Sequence, residues 1–215
     1  MTSYSDKNEN YRCYKITDVI VVHKTKDAFG ELSNMAAGFP IVLNNELVLT
    51  SEALYQACRY PHLPEIQKQI IVQHSPMTAK MKSKQYIDES RKDWNSVRVP
   101  IMRWCLRVKL AQNFDKFSQI LLSTEEHPIV ELSRKDDFWG ALIRGEEKDL
   151  LVGENVLGRL LMELRNKLKL YPKSRFESVS PLSIKDFLFL GIPIEVVTNT
   201  QINLPSQVKQ YDLLS

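Results

Sequence analysis

The sequence predicts an α+β fold, mostly helical, with an N-terminal strand and a β-hairpin packed on a helical body as one domain. Three observations predict it. The β-branched run ITDVIVV from Ile16 reads as a strand. Two short apolar runs flank Asn44-Asn45, and asparagine tolerates the left-handed geometry of a tight hairpin turn. From Ser51 to Leu168, helix-start signals and 3.6-residue apolar spacing recur.

Taken in order, residues 1–15 form a polar, flexible N-terminus. The stretch AFGELSNMAAGF from Ala28 carries turn chemistry. A helix begins near Ser51, capped by Thr50 or Ser51, and stops before Pro61. Pro64 to about Gln73 suits another, and Ser75-Pro76 opens a third, with proline at its first position. Val97, Ile101, Trp104 and Val108 mark a longer helix from Asp93, and Pro100 either kinks it or marks its start. FDKFSQILLST from Phe114 is helical, and HPIVEL from His127 is a short strand. Residues 133–154 read as a long loop with a local turn, a length often functional inside a domain. Asn155 then caps a helix whose stripe is Val156, Leu160, Leu164 and Leu168. The domain spans 16–170, and 171–215 is an extension docked on it.

At 215 residues, 43% hydrophobic and 26% charged, the chain can bury a core without disulfides or structural metal. No apolar run approaches the roughly 20 residues of a membrane helix, so no membrane partner is expected. The opening MTSYSDKNENYRCYK lacks the apolar centre of a secretory signal. Cys13, Cys58 and Cys105 lie far apart and read as reduced thiols of a cytoplasmic protein. His23, His62, His74 and His127 show no ligand spacing, so neither metal nor cofactor is expected. A net charge of +3 is not that of a non-specific nucleic-acid binder, although basic residues gather between Lys80 and Lys109. There is no GxSxG elbow, Walker loop or GxGxxG.

The blocks that carry chemistry are SEALYQ from Ser51, DFWG from Asp137 and GENVLGRLLMELR from Gly153. Glu52 lies in a first helical turn, where an acidic residue commonly complements the dipole. Its functional reading needs a second carboxylate, as in cleavage at a sugar carbon, and Asp136 and Asp137 offer one. Trp139 beside Gly140 either anchors its loop or stacks on a base. Gly153, Asn155 and Gly158 open a helix whose N–H groups suit an anion, with ordinary capping as the plainer account.

Together FGELSNMA from Phe29, TSEALYQACR from Thr50, SPMTAKM from Ser75, DWNSVRVPIMRWCLRVKLAQN from Asp93, DDFWG from Asp136 and GENVLGRLLMELR resemble the YbiA-like, or NADAR, family, over roughly residues 20–170. The resemblance implies an N-glycosidase that breaks a ribose C1′–N bond. The favoured substrate is ADP-ribosylated guanine in nucleic acid, with a DarT-like toxin as a possible counterpart. The alternatives are pyrimidine ribose-phosphate intermediates of riboflavin biosynthesis, or a non-catalytic ADP-ribose or NAD binding module. It assigns Glu52 the leading catalytic role and Asp136 the second. Phe29, Gly30, Ser33, Asn34, Ser51, Tyr55, Gln56 and Arg59 fall to substrate binding. So do Trp94, Arg103, Trp139, Gly140, Gly153, Asn155 and Gly158. A lysine Schiff base is a further mechanism the family implies. Arg59 stands where many relatives carry lysine and cannot serve as an amine nucleophile, which leaves Lys109 and Lys80. Met35 in the first loop and Pro100 are milder departures.

Overall fold

Two asparagines in left-handed conformation, Asn44 at φ 48° and Asn45 at φ 64°, turn the chain between β3 (Ile41–Leu43) and β4 (Glu46–Val48). That turn fits the right-handed twist of a two-residue hairpin and pairs Ile41 with Val48. It belongs to a computed structural model that describes residues 9–199. The N-terminal residues 1–8, and residues 200–215 with Pro205 of the expected extension, lie outside the described part. The chain divides into two compact units. One holds residues up to Ser33 and Asp115–Pro172, and the other Asn34–Phe114 and residues from Lys173 onward.

The first unit is built on strands that local patterning only partly reveals. β1 (Arg12–Lys15) falls in the stretch expected to be loose, yet it pairs antiparallel with β7 (Leu150–Gly153). The ITDVIVV run is shorter as a strand than expected: Ile16–Asp18 forms a 3-10 turn and only Ile20–Val22 is β2. β2 pairs in parallel with β5 (Ile129–Glu131). The expected long loop contains β6 (Leu142–Arg144), which joins β7 to give the order β1-β7-β6. Gly145 at φ 87° and Lys148 at φ 55° make the turn between them. Val130, Ala141 and Leu151 form a buried cluster, with Tyr14, Ile16, Val19, Val21 and Leu132 against it.

α5 (Phe114–Leu122) leads into this unit, and α6 (Val156–Leu170) packs over β5. α6 approaches so closely that a Cβ on Gly158 would lie 2.1 Å from the Ile129 carbonyl oxygen. Asn155 occupies the cap position at φ 48° and ψ 46°, but its side chain does not cap the helix. Its Nδ2 donates to the Ile129 carbonyl at 2.8 Å and its Oδ1 accepts from the Glu131 N–H at 3.1 Å. The asparagine therefore pins α6 to the strand.

The second unit is centred on α1 (Ser51–Ala57), every residue of which is buried. Thr50 is its N-cap, accepting from the Ala53 N–H at 3.2 Å. α2 (Pro64–Ile71), α3 (Pro76–Lys84) and α4 (Trp94–Gln112) all pack on it. Ser75 caps α3 as its sequence signal predicts. Pro100 lies inside α4, so the helix loses one backbone hydrogen bond and continues.

Residues 173–199 add the short ladders β8 (Ser178–Val179) with β11 (Val197–Thr198), and β9 (Leu188–Phe189) with β10 (Ile192–Pro193). Side chains from the helices tie them down. Trp104 Nε1 donates to the Ser180 carbonyl at 3.0 Å, and Arg91 to that of Lys185 at 2.6 Å. Gln67 and Gln112 each bond backbone on this segment, at Leu188 and Leu190 and at Thr198.

Replacing Asn155 with alanine removes both bonds to β5 and leaves a non-glycine residue in left-handed backbone. The expected loss of stability is about 3 kcal/mol. Urea unfolding checks it, as a lower midpoint at unchanged slope.

Candidate functional site

A carboxylate with only 4% of its surface exposed organises the second unit. Glu52 lies one residue into α1, so its side chain is carried inward by a helix buried on all sides. Burial of such a group demands hydrogen-bond donors. Asn34 Nδ2 donates to Oε2 at 2.6 Å, and Gln56 Nε2, one turn along α1, donates to Oε1 at 2.8 Å. Behind each amide stands a hydroxyl. Ser51 Oγ donates to Asn34 Oδ1 at 2.6 Å, and Ser83 Oγ to Gln56 Oε1 at 2.6 Å. Tyr60 donates to the Ser83 carbonyl at 2.6 Å. The expected residues Asn34, Ser51, Glu52 and Gln56 are thus brought together. Each carboxylate oxygen keeps a lone pair beyond its amide partner, and that is its chemical capacity.

An aromatic group adjoins this cluster. The rings of Tyr55 and Trp94 lie 5.2 Å apart, and the Arg59 guanidinium lies 4.5 Å from the Trp94 ring centroid. Burial, with the Glu52 charge adding to it, pushes the Tyr55 phenol well above its ordinary range, against the pull of Arg59. Tyr55 is therefore a neutral phenol. The Arg59 Nε is buried without a protein hydrogen-bond partner. A planar cation stacked on an indole with a donor to spare suits an anionic or planar ligand group.

The two lysines expected as amine candidates differ. Lys109 is fully buried on α4, its Nζ 4.1 Å from the centroid of the Phe39 ring. Lys80 is exposed on α3, where Ala79 and Ser83 turn inward. Only Lys109 is desolvated, as a nucleophilic lysine requires. Arg103 is half-buried on α4. Cys58 and Cys105 are buried free thiols, and burial, with a hydrogen bond donated to Cys58, pushes the Cys105 thiol up, so it is no thiolate nucleophile.

The other two blocks meet each other in the first unit, backbone to backbone. The N–H groups at the start of α6 are taken by carbonyls of residues 137–140. Glu154 donates to Asp137 at 2.6 Å, Asn155 to Gly140 at 3.1 Å, Val156 to Phe138 at 3.0 Å and Leu157 to Trp139 at 3.0 Å. Gly153 serves this close approach, since a Cβ on it would lie 2.5 Å from the Gly140 carbonyl oxygen, whereas Gly140 and Gly158 press on β5, where a Cβ would lie 2.4 Å from the Glu131 and 2.1 Å from the Ile129 carbonyl oxygen. With Asn155 bonded to β5, these positions hold backbone against backbone. Asp136 shapes the same turn, its Oδ1 accepting from the N–H groups of Phe138 at 3.1 Å and Trp139 at 2.9 Å. Asp137 accepts from the Tyr11 hydroxyl at 2.8 Å. Trp139 is half-buried and meets Phe138 edge-on at 5.1 Å. Of the first loop, Phe29 and Gly30 form a tight turn in which a Cβ on Gly30 would lie 2.2 Å from the Lys24 carbonyl oxygen, and Ser33 is buried.

Ser83 and Tyr60 complete the Glu52 cluster without any sequence motif. The one available signal was the small pair Ala79 and Ser83 on a single face of α3. Among the described residues no group of three or more His, Cys, Asp or Glu is placed to hold a metal ion, and no helix is long and apolar enough to cross a membrane.

A profile of the NADAR domain family matches residues 21–169. The chain is similar to the N-glycosidase YbiA of Escherichia coli, at 34% identity over 150 residues, 70% of this chain and 88% of that protein. It is also similar to the chloroplastic riboflavin biosynthesis protein PYRR of Zea mays, at 31% identity over 166 residues, 71% of this chain and 25% of that protein. The NMR structure of E. coli YbiA superposes with a TM-score of 0.58 at 33% identity, covering 70% of this chain and 86% of that one.

Asp136→Asn keeps an acceptor for the loop N–H groups and Asp136→Ala does not. Alanine is expected to cost about 1 kcal/mol and asparagine much less. Thermal denaturation of the two variants checks it, and equal losses count against the loop-holding role.

Proposed function

The chain belongs to the NADAR domain family, and on that premise we propose that it hydrolyses the C1′–N bond of a ribosyl adduct. One observation carries the reading: Glu52, a buried carboxylate clasped by two amides. In hydrolysis the C1′–N pair leaves with nitrogen, which takes a proton, and a water oxygen bonds to C1′. The positive charge that builds on the ribose favours a nearby carboxylate, and the attacking water must lose a proton to a base. Glu52 serves both needs. Tyr55, Trp94 and Arg59 supply a flat surface and a cation for the base or phosphate of the adduct. If the amine nucleophile of the family stands at position 59, the arginine there leaves water to attack directly, and the buried Lys109 is the amine to test against that reading.

The name of the maize relative makes a pyrimidine ribose phosphate of riboflavin biosynthesis the first substrate to try. ADP-ribosylated guanine, favoured from the sequence, becomes the second, supported by the exposed cations Lys80, Lys84 and Lys92.

The test incubates the protein and its Glu52→Gln variant with each substrate and follows released ribose phosphate or ADP-ribose by mass spectrometry. Wild type is expected to release product, and the variant to be slower by at least about a hundredfold. Release from neither substrate, together with tight ADP-ribose binding, establishes a binding module instead. Borohydride during turnover should leave Lys109 unlabelled; a reduced adduct there moves the first attack to that amine.

A further inference from the structure

An amide beside a carboxylate can present either its N–H or its oxygen, and the two choices have opposite consequences. Presented N–H groups favour a carboxylate that only accepts. A presented oxygen asks the carboxyl to bring a proton. What decides the face is whatever lies on the far side of each amide.

At Gln56 the far side is Ser83, whose Oγ lies 2.6 Å from Oε1. The direction of that bond is set one step further out. The Tyr60 hydroxyl is 2.6 Å from the Ser83 carbonyl, which can only accept, so its proton is committed there. Tyr60 is also 3.1 Å from Ser83 Oγ but has no proton left to give it, and its oxygen is a longer-range acceptor for the Ser83 proton than Gln56 Oε1 at 2.6 Å. The Ser83 proton therefore goes to Gln56 Oε1, and Nε2 turns to Glu52. At Asn34 the far side is Ser51, 2.6 Å from Oδ1. A flipped Asn34 would leave the Ser51 proton only the Asn34 backbone carbonyl, at 3.4 Å. Both serines are buried, so water cannot substitute for either contact.

We propose that Ser83 and Ser51 are positioning residues that fix the amide faces of Gln56 and Asn34, so that Glu52 is held as an acceptor on both oxygens. This rests on Glu52 carrying the chemistry proposed above, and it divides that chemistry. Glu52 receives the proton of the attacking water and faces the ribosyl cation. It does not deliver a proton to the leaving nitrogen, which takes one from solvent or from its own base.

Ser83→Ala tests the proposal, with nitrogen-15-labelled protein and steady-state kinetics on the ribose-phosphate substrate. In wild type the two Gln56 Nε2 protons should be well separated, since one is bound to a carboxylate. In Ser83→Ala that separation should shrink toward the free-glutamine value, while Asn34 is unaffected. kcat should fall on the order of tenfold with KM within about twofold, and Ser83→Thr should restore both readouts. Should the alanine variant not fold, Ser83→Cys, close in size and a poor donor, takes its place with the same expected direction. Unchanged Gln56 resonances in a folded variant overturn the proposal. The spectra need no substrate. If wild type turns over neither substrate, the proposed function falls while the Gln56 resonances still decide the amide lock.

Discussion

The burial of Glu52 is the constraint around which the second unit is arranged. A carboxylate removed from water costs several kcal/mol unless donors replace the solvent it loses. Here the donors come from a loop residue, Asn34, and from Gln56 one helical turn away, and each is braced by a hydroxyl from α1 or α3. The packing of α3 on α1 is thereby tied to the chemistry. Ser83 reaches Gln56 only because α3 runs close, and Tyr60, just past the end of α1, fastens the backbone of α3 at Ser83. A short helix with every residue buried is poorly suited to stand alone. It persists because its neighbours satisfy what it carries inward.

The first unit solves a different problem with backbone alone. A helix start leaves N–H groups unpaired, and side-chain caps are the usual remedy. Here the turn at residues 137–140 offers carbonyls instead, and Asp136 holds that turn in shape from within. That contact excludes a Cβ at Gly153, and the carbonyls of β5 exclude one at Gly140 and Gly158. Glycines at a helix start can serve a tight seam between chain segments, and these lie in one.

What was legible in the sequence was local. Thr50 or Ser51 as a cap, Asn44-Asn45 as a hairpin turn and Ser75-Pro76 as a helix start each act within a few residues, and the structure has all three, with Thr50 as the cap. What was not legible depends on distant partners. Arg12–Lys15 looks like polar tail until Leu150–Gly153 pairs with it, and β6 hides in a stretch whose alternation is too short to register. The same holds at the site. Glu52, Asn34, Ser51 and Gln56 stand in recognisable blocks, whereas Ser83 is an ordinary serine on a basic helix until Gln56 comes within reach of it.

The segment after α6 also redraws where this protein ends as a physical object. The stretch shared with the family stops at residue 169, yet Gln67, Arg91, Trp104 and Gln112 all spend hydrogen-bonding groups on residues 180–198. Phe187, Phe189, Ile194 and Val197 are buried with them. Ancestry and mechanics therefore draw different borders. A chain trimmed to the inherited portion would bare the flank of α4, with the Trp104 indole N–H and the Arg91 guanidinium just before the helix stripped of their carbonyls, and present to its neighbours a sticky surface that residues 180–198 keep covered.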